Sequence, residues 1–200
     1  MIRAAAKRNR WEDHYARRAR QERYPARSVY KLQEIQKKYS LIKKGDKVLD
    51  LGCSPGSWML YAARLTGPAG QVVGIDLKPV TVALPPHVRI HRADILTLED
   101  EALAAVGQDF NVVLSDLAPA TTGNKALDAV RSFHLGRAAL SIAQKGLTTG
   151  GFFVCKIFQG QNFEEFIGLV RLSFAKYKLF KPQSSRKASK EIYIIGFGKK

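Results

Sequence analysis

The stretch Lys47-Val48-Leu49-Asp50-Leu51-Gly52-Cys53-Ser54-Pro55-Gly56-Ser57-Trp58 constrains this chain more than any other. A short apolar run ends in an acid, a loop with two glycines follows, and Trp58, Met59, Leu60, Ala62, Ala63 and Leu65 then recur at helical spacing. The pattern predicts a strand, a turn and a helix, the opening unit of a nucleotide-binding α/β sheet. Glycine at 52 and 56 lets the backbone approach a ligand that a Cβ would push away. The first turn of the helix offers N–H groups with no carbonyl partner.

The spacing narrows the ligand. A dinucleotide fingerprint reads G-x-G-x-x-G, whereas Cys53, Ser54 and Pro55 separate Gly52 from Gly56, so the middle glycine of a pyrophosphate cradle is missing. What remains, an acid at the strand end and then G-x-x-x-G, resembles the first motif of the S-adenosylmethionine-dependent methyltransferases. Gln71-Val72-Val73-Gly74-Ile75-Asp76 reads as the next strand. It sets Asp76 about 20 residues past the loop, where a carboxylate can accept hydrogen bonds from ribose hydroxyls. His87 to His91 alternates as a further strand and leads to Asp94. In a parallel arrangement Asp50, Asp76 and Asp94 share one sheet edge, the edge at which open α/β sheets bind ligands. Capping of strand ends is the bland alternative for these acids.

Two hundred residues suit one domain with a sizeable core. No run approaches 18 apolar residues and residues 1–10 have no apolar signal core, so a cytoplasmic protein without membrane attachment is expected. Cys53 and Cys155 suggest neither a disulfide framework nor a zinc site, and His87 and His91 have no partners at ligand spacing, so no metal is expected. The net charge of +16 is unevenly placed. Residues 1–44 carry 14 Lys/Arg and 4 Asp/Glu, residues 176–200 carry 8 and 1, and residues 45–175 carry 11 and 12. A near-neutral middle between two basic ends predicts a polyanionic partner gripped by those ends. Trp11, Tyr15 and Tyr24, interleaved with Arg8, Arg10, Arg17, Arg18, Arg20 and Arg23, could stack on unpaired bases. The bland alternative is a pair of solubilising tails.

Residues 1–26 read as a basic arm with helical character ended by Pro25, and 27–200 as a single domain. Ser28 is a plausible N-cap for a helix through about Tyr39, with Val29, Leu32 and Ile35 as its buried stripe and Lys31 off it. After the Asp94 strand come a strand over 110–116, a helix over about 125–145, and the strand 152–158 introduced by Gly150 and Gly151. A helix over about 162–174, a strand near 177–180, a basic loop over 182–190 and a last strand from Glu191 complete the chain. The fold class is therefore α/β, a Rossmann-like seven-stranded, mostly parallel sheet. The loop before the last strand is too short for a crossover helix, so that strand is antiparallel. Its first residue, Glu191, then falls at the same edge as Asp116 and Lys156, near Lys156 if the strand inserts beside it. Lys31, from the helix before the sheet, could complete a group of two ammoniums and two carboxylates.

Five segments together resemble the FtsJ/RrmJ family, the RlmE-type ribosomal-RNA large-subunit ribose 2′-O-methyltransferases. They are Lys31 in Ser28-Val29-Tyr30-Lys31-Leu32, the 50–58 loop, Asp116 in Ser115-Asp116-Leu117-Ala118-Pro119, Lys156 in Val154-Cys155-Lys156-Ile157-Phe158, and Glu191 before an apolar strand. The resemblance runs from about Trp11 to the C-terminus. It departs at Ser57, where many members carry a second glycine. It implies a Lys156 base assisted by Lys31, Asp116 and Glu191. It also implies S-adenosylmethionine contacts from Gly56, Trp58, Asp76, Asp94 and Asp116, beside the Asp50 and Gly52 of the loop. The substrate it implies is a uridine in ribosomal RNA, within the large ribosomal subunit; the chain itself is expected to be a monomer.

The chemistry fits the group independently. A ribose 2′-hydroxyl is a weak nucleophile, so holding its oxygen about 3 Å from the methyl, in line with the departing sulfur, supplies most of the acceleration. Lys156 can then be a proton acceptor or a group that orients the hydroxyl, and the sequence leaves both open. Taken singly, each residue has a bland reading, a lysine in an apolar strand being often a packed stem with a solvated head. Two rival functions stay open: a methyltransferase for another acceptor (transfer RNA, a messenger-RNA cap or protein), and a noncatalytic RNA-binding ribosome-assembly factor.

Overall fold

The computed structural model describes residues 10–186 and 188–200, with side chains from residue 14 onward. The stacking expectations for Arg8, and for the side chains of Arg10 and Trp11, lie outside the described residues. Two helices, α1 (Arg10–Gln21) and α2 (Val29–Tyr39), precede seven strands. These are β1 (Lys47–Leu51), β2 (Gln71–Asp76), β3 (Val88–Arg92), β4 (Phe110–Ser115), β5 (Leu147–Phe158), β6 (Phe174–Phe180) and β7 (Glu191–Lys199). They are joined by α3 (Ser57–Thr66), α4 (Asp100–Val106), α5 (Lys125–Gly146) and α6 (Phe163–Ser173).

The strands form one sheet in the order β3-β2-β1-β4-β5-β7-β6, parallel from β3 through β5, with β7 inserted antiparallel between β5 and β6. This is the expected fold class. Both faces are covered, as a parallel sheet requires. Alternate side chains of one strand therefore enter two cores. Val48, Val72, Val112, Leu114 and Val154 meet Leu32, Ile35, Trp58 and Met59 of α2 and α3. Leu49, Val73, Val113, Phe153 and Cys155 meet Leu140 and Ala143 of α5 and Phe166 and Val170 of α6. Both cysteines are buried and unpaired, and burial raises each thiol pKa, that of Cys155 to about 12.

The differences from expectation have local causes. Helix α4 was not foreseen, because only Leu103 and Val106 are buried in its seven residues and two anchors set no period. Strand β5 begins at Leu147, ahead of the glycines expected to introduce it. The pairing with β4 shifts register between Phe110 and Val112, and Gly150 takes φ +83° there, so the glycines serve an irregularity inside the strand. Strand β6 starts at Phe174 because α6 stops at Ser173. Ser28 does not cap α2 with its side chain; its backbone is already helical and its carbonyl accepts the Trp58 indole N–H at 2.8 Å.

Helix α1 packs on the domain. Ala19 and Tyr24 are buried with Val29 and Tyr30, and Tyr15 lies 5.3 Å from the Tyr30 ring. Tyr24, expected to stack on bases, is instead covered by Arg64, whose Nη1 donates to its hydroxyl at 2.7 Å. Arg17, Arg18 and Arg20 remain on the exposed face. Among the described residues no helix is long and apolar enough to cross a membrane.

Candidate active site

Parallel strands end at one edge, and the loops that follow them build two adjoining features there. The first is a cavity of about 800 Å³. Gly52 and Ser54 after β1, Asp76 and Lys78 around the end of β2, Asp94 after β3, Asp116 to Ala120 after β4 and Arg131, His134 and Leu135 of α5 are among its lining. Its size suits a nucleoside-containing ligand. Leu77 and Leu96, 58% and 56% exposed, stand at it with Ile75, Ile95 and Leu117. Large apolar side chains left in water beside two carboxylates make a slot for a flat apolar ring attached to hydroxyls. Asp76 is oriented by the N–H groups of Ser54 at 2.9 Å and Lys78 at 2.7 Å, and Asp94 by that of Leu96 at 2.9 Å.

Four of the seven residues named from sequence as cofactor contacts line this cavity: Gly52, Asp76, Asp94 and Asp116. Asp50, Gly56 and Trp58 do not. Trp58 is buried, its ring centroid 5.9 Å from that of Tyr193. Gly56 has φ +109° and opens α3, where the first N–H groups have no helical acceptor. The two glycines were expected to leave room for a ligand; Gly52 lines the cavity, and protein side chains also press on both positions. A Cβ at Gly52 would lie 2.7 Å from Leu117 Cδ2, and one at Gly56 would lie 2.8 Å from Val82 and 2.9 Å from Val80, so protein side chains occupy that space. Asp50 is fully buried beneath the turn, and neither carboxylate oxygen has a hydrogen-bond partner. Burial, with Asp116 and Asp76 adding like charge, raises its pKa well above the carboxylate range.

The second feature is the predicted four-residue group. Lys31 Nζ lies 2.8 Å from Glu191 Oε1 and 3.0 Å from Oε2. Lys156 Nζ lies 3.0 Å from Asp116 Oδ1 and donates to the Asp116 carbonyl at 2.6 Å. Glu191 was expected near Lys156, and it lies within electrostatic reach of that ammonium while its direct contact is with Lys31. The register explains this: Glu191 faces Phe158 across the β5 and β7 pair, and the residue opposite Lys156 is Tyr193. Lys156 and Glu191 are 6% and 8% exposed. Burial opposes the charge on Asp116, but Lys156 and Lys31, with hydrogen bonds from Tyr193 and Lys156, hold its carboxyl below the usual range. Burial likewise opposes the charge on Glu191, and Lys31, Ser185 and Lys156 outweigh it. The two ion pairs are therefore within electrostatic reach of each other. Asp116 joins the two features, because it both lines the cavity and holds Lys156.

Sequence reading missed Tyr193. It is fully buried, donates its hydroxyl to Asp116 Oδ1, and has Lys31 Nζ 5.9 Å from its ring centroid. Burial and the charges of Asp116 and Glu191 raise its pKa well above that of an ordinary phenol, so it stays a donor. Its signal was present: two residues after Glu191 on one strand is the same face of the sheet. Leu77, Leu96, Arg131 and His134 had no such signal.

The family model for FtsJ-like methyltransferases matches residues 24–199. The chain belongs to that family. It is similar to a protein named ribosomal RNA large subunit methyltransferase E of Desulforapulum autotrophicum, 60% identical over 99% of this chain and 98% of the relative. A protein of the same name from Desulfosudis oleivorans is 54% identical over 100% and 97%. Among solved structures, one described as a ribosomal RNA methyltransferase of Plasmodium falciparum aligns with TM-score 0.77 and 26% identity, covering 88% of this chain and 98% of that one. The methyltransferase family implies S-adenosylmethionine as methyl donor, and the cavity is suited to it: a slot between leucines for a base and carboxylates for hydroxyls. Among the described residues there is no group of His, Cys, Asp and Glu that could hold a metal ion.

Proposed function

We propose that this protein transfers a methyl group from S-adenosylmethionine to a ribose 2′-hydroxyl, that of a uridine, in large-subunit 23S ribosomal RNA. The observation that carries the proposal is the convergence of Lys31, Asp116, Lys156 and Glu191 beside a nucleoside-sized cavity, with Asp116 common to both. Relatives named as large-subunit ribosomal RNA methyltransferases, similar over nearly the whole chain, support the substrate class. The basic ends support a polyanion.

Bound S-adenosylmethionine supplies a sulfonium methyl that an oxygen nucleophile can take as the carbon–sulfur bond breaks. Asp76 and Asp94 would hold its ribose and adenosine end, and Gly52, which lines the cavity, would stand beside the rest of it, with Gly56 and Trp58 shaping the start of α3 behind that loop. Lys156 acts on the acceptor. Asp116 engages the Lys156 nitrogen twice, through its carboxylate and its carbonyl, so the remaining tetrahedral position of that nitrogen has a fixed direction. In the charged state that position donates a hydrogen bond that orients the hydroxyl oxygen; in the neutral state it is a lone pair that accepts the hydroxyl proton. Lys31, held by Glu191, puts a second positive charge near the oxygen as its own negative charge develops.

The test is transfer of labelled methyl to large ribosomal subunits isolated from cells lacking this protein, with the label mapped to base or ribose. Ribose label that Lys156→Ala abolishes is expected. Label on a base overturns the acceptor, and absence of label despite cofactor binding points to an assembly factor.

A further inference from the structure

Three side chains at or near α2 lie in one row. Arg27 precedes the helix, Lys31 follows four residues later and Glu34 three after that, which is a single helix face. All three engage one distant stretch, residues 183–191. Arg27 Nη2 donates to the Ser184 carbonyl at 2.7 Å. Glu34 accepts the N–H of Gln183 at 2.6 Å and that of Ser184 at 2.9 Å, one on each carboxylate oxygen. Lys31 takes Glu191, where that stretch becomes β7. The loop is thus clasped to α2 at both ends. Pro182, Ser184 and Ser185 are buried there, while Lys181, Arg186 and Lys190 are exposed.

Glu34 is out of place by charge alone. It is a carboxylate between Lys31, Lys37 and Lys38 on its own helix and the cations of the loop, and at such a surface an acid repels a polyanion. Its two short hydrogen bonds give it another use, because two successive N–H groups aimed at two carboxylate oxygens fix both the position and the orientation of the loop backbone. We infer that Glu34 is a positioning residue for the RNA substrate: it holds the 182–190 loop so that its cations meet the phosphate backbone and Glu191 arrives beside Lys31. This rests on the function proposed above.

Charge and positioning make opposite predictions. Glu34→Ala removes one negative charge and by charge alone tightens RNA binding. With the loop released, binding of large-subunit ribosomal RNA in a filter assay is expected to weaken by about tenfold, and the slope of log affinity against log salt to become shallower by about 0.7 for each phosphate that the loop no longer neutralises. The KM for large ribosomal subunits rises while cofactor affinity stays at the parental value. Glu34→Gln, which keeps one acceptor oxygen, restores part of the affinity. Glu101→Ala, at an exposed acid on α4, removes the same charge without touching the loop and measures the charge effect alone. RNA affinity in Glu34→Ala equal to or tighter than that of Glu101→Ala overturns the inference. So does parallel loss of cofactor binding, which marks a merely structural residue. Failure of the parent protein to methylate ribose sinks the proposed function instead, and the RNA-binding comparison still decides the role of Glu34.

Discussion

Lys31 and Glu191 are 160 residues apart in the chain and 2.8 Å apart in the fold. One sits on the helix that precedes the sheet and the other on the first residue of the strand that closes it, so the pair forms only when the whole sheet has assembled. Their side chains are 14% and 11% exposed, and water screens them little. A double-mutant cycle on Lys31→Ala and Glu191→Ala, read by urea unfolding, is expected to give a coupling of about 0.5–3 kcal/mol. Each single variant strands a charge, so the double variant should be less destabilised than the sum of the two.

On the proposed function, Lys156→Ala removes the group that acts on the acceptor oxygen but touches nothing on the Asp76 and Asp94 side of the cavity. Methyl transfer should fall by about 10²- to 10⁴-fold, the range for losing a positioned proton-transfer group. Cofactor binding followed by calorimetry should stay near the parental value; an equal loss of both would make Lys156 a structural residue.

Asp50 and Asp116 make opposite contributions to stability as pH changes. The Asp116 carboxyl is held below its ordinary value, so its stabilisation is complete above about pH 4, the unfolded value, and is lost as pH falls through the lower folded value. Asp50 is raised, so the folded state holds its proton more tightly, and stability falls as pH rises from about 4 toward the folded value. Urea titrations across pH should therefore show Asp116→Asn flattening the acid limb. Asp50→Asn should flatten the decline on the other side and be at least as stable as the parent near neutrality.

Gly52 and Gly45 both adopt positive φ, at +81° and +87°, but only Gly52 is crowded. Gly45→Ala should cost about 1–2 kcal/mol of stability, the penalty for a Cβ in that region, and leave cofactor affinity unchanged. Gly52→Ala also drives Leu117 into the cavity it lines, and cofactor affinity should fall by about tenfold, or 1.4 kcal/mol. Thermal unfolding and cofactor titration of the two variants separate strain from lost space.

Arg17 and Arg20 stand on the exposed face of α1, whose other face is packed on the domain. Replacing both by alanine should weaken binding of ribosomal RNA and reduce the salt slope by about 1.4, two phosphates at about 0.7 each. An unchanged slope would place α1 outside the interface.

Periodicity and turn chemistry are local, so the sequence by itself determined the order of the strands and of every helix but α4, the antiparallel last strand, and the edge at which Asp76, Asp94, Asp116, Lys156 and Glu191 gather. It also set Lys156, Asp116 and Glu191 apart, because a lysine inside an apolar strand and acids at strand ends depart from the pattern around them; Lys31, on a helix, shows no such departure and was joined to them by the family resemblance. Pairing was beyond it. That Glu191 meets Lys31 and not Lys156 depends on register between β5 and β7, a matter of one residue pair on one face. That Tyr24 packs under Arg64 depends on where α1 docks against α3, and that Leu117, Val80 and Val82 fill the space at Gly52 and Gly56 depends on loops arriving from elsewhere. The two hydrogen bonds from the basic loop to Glu34 join residues about 150 apart, and no local pattern announces a carboxylate whose partners are backbone N–H groups. Local patterns record which face a residue turns to, and only the assembled sheet decides what it meets there.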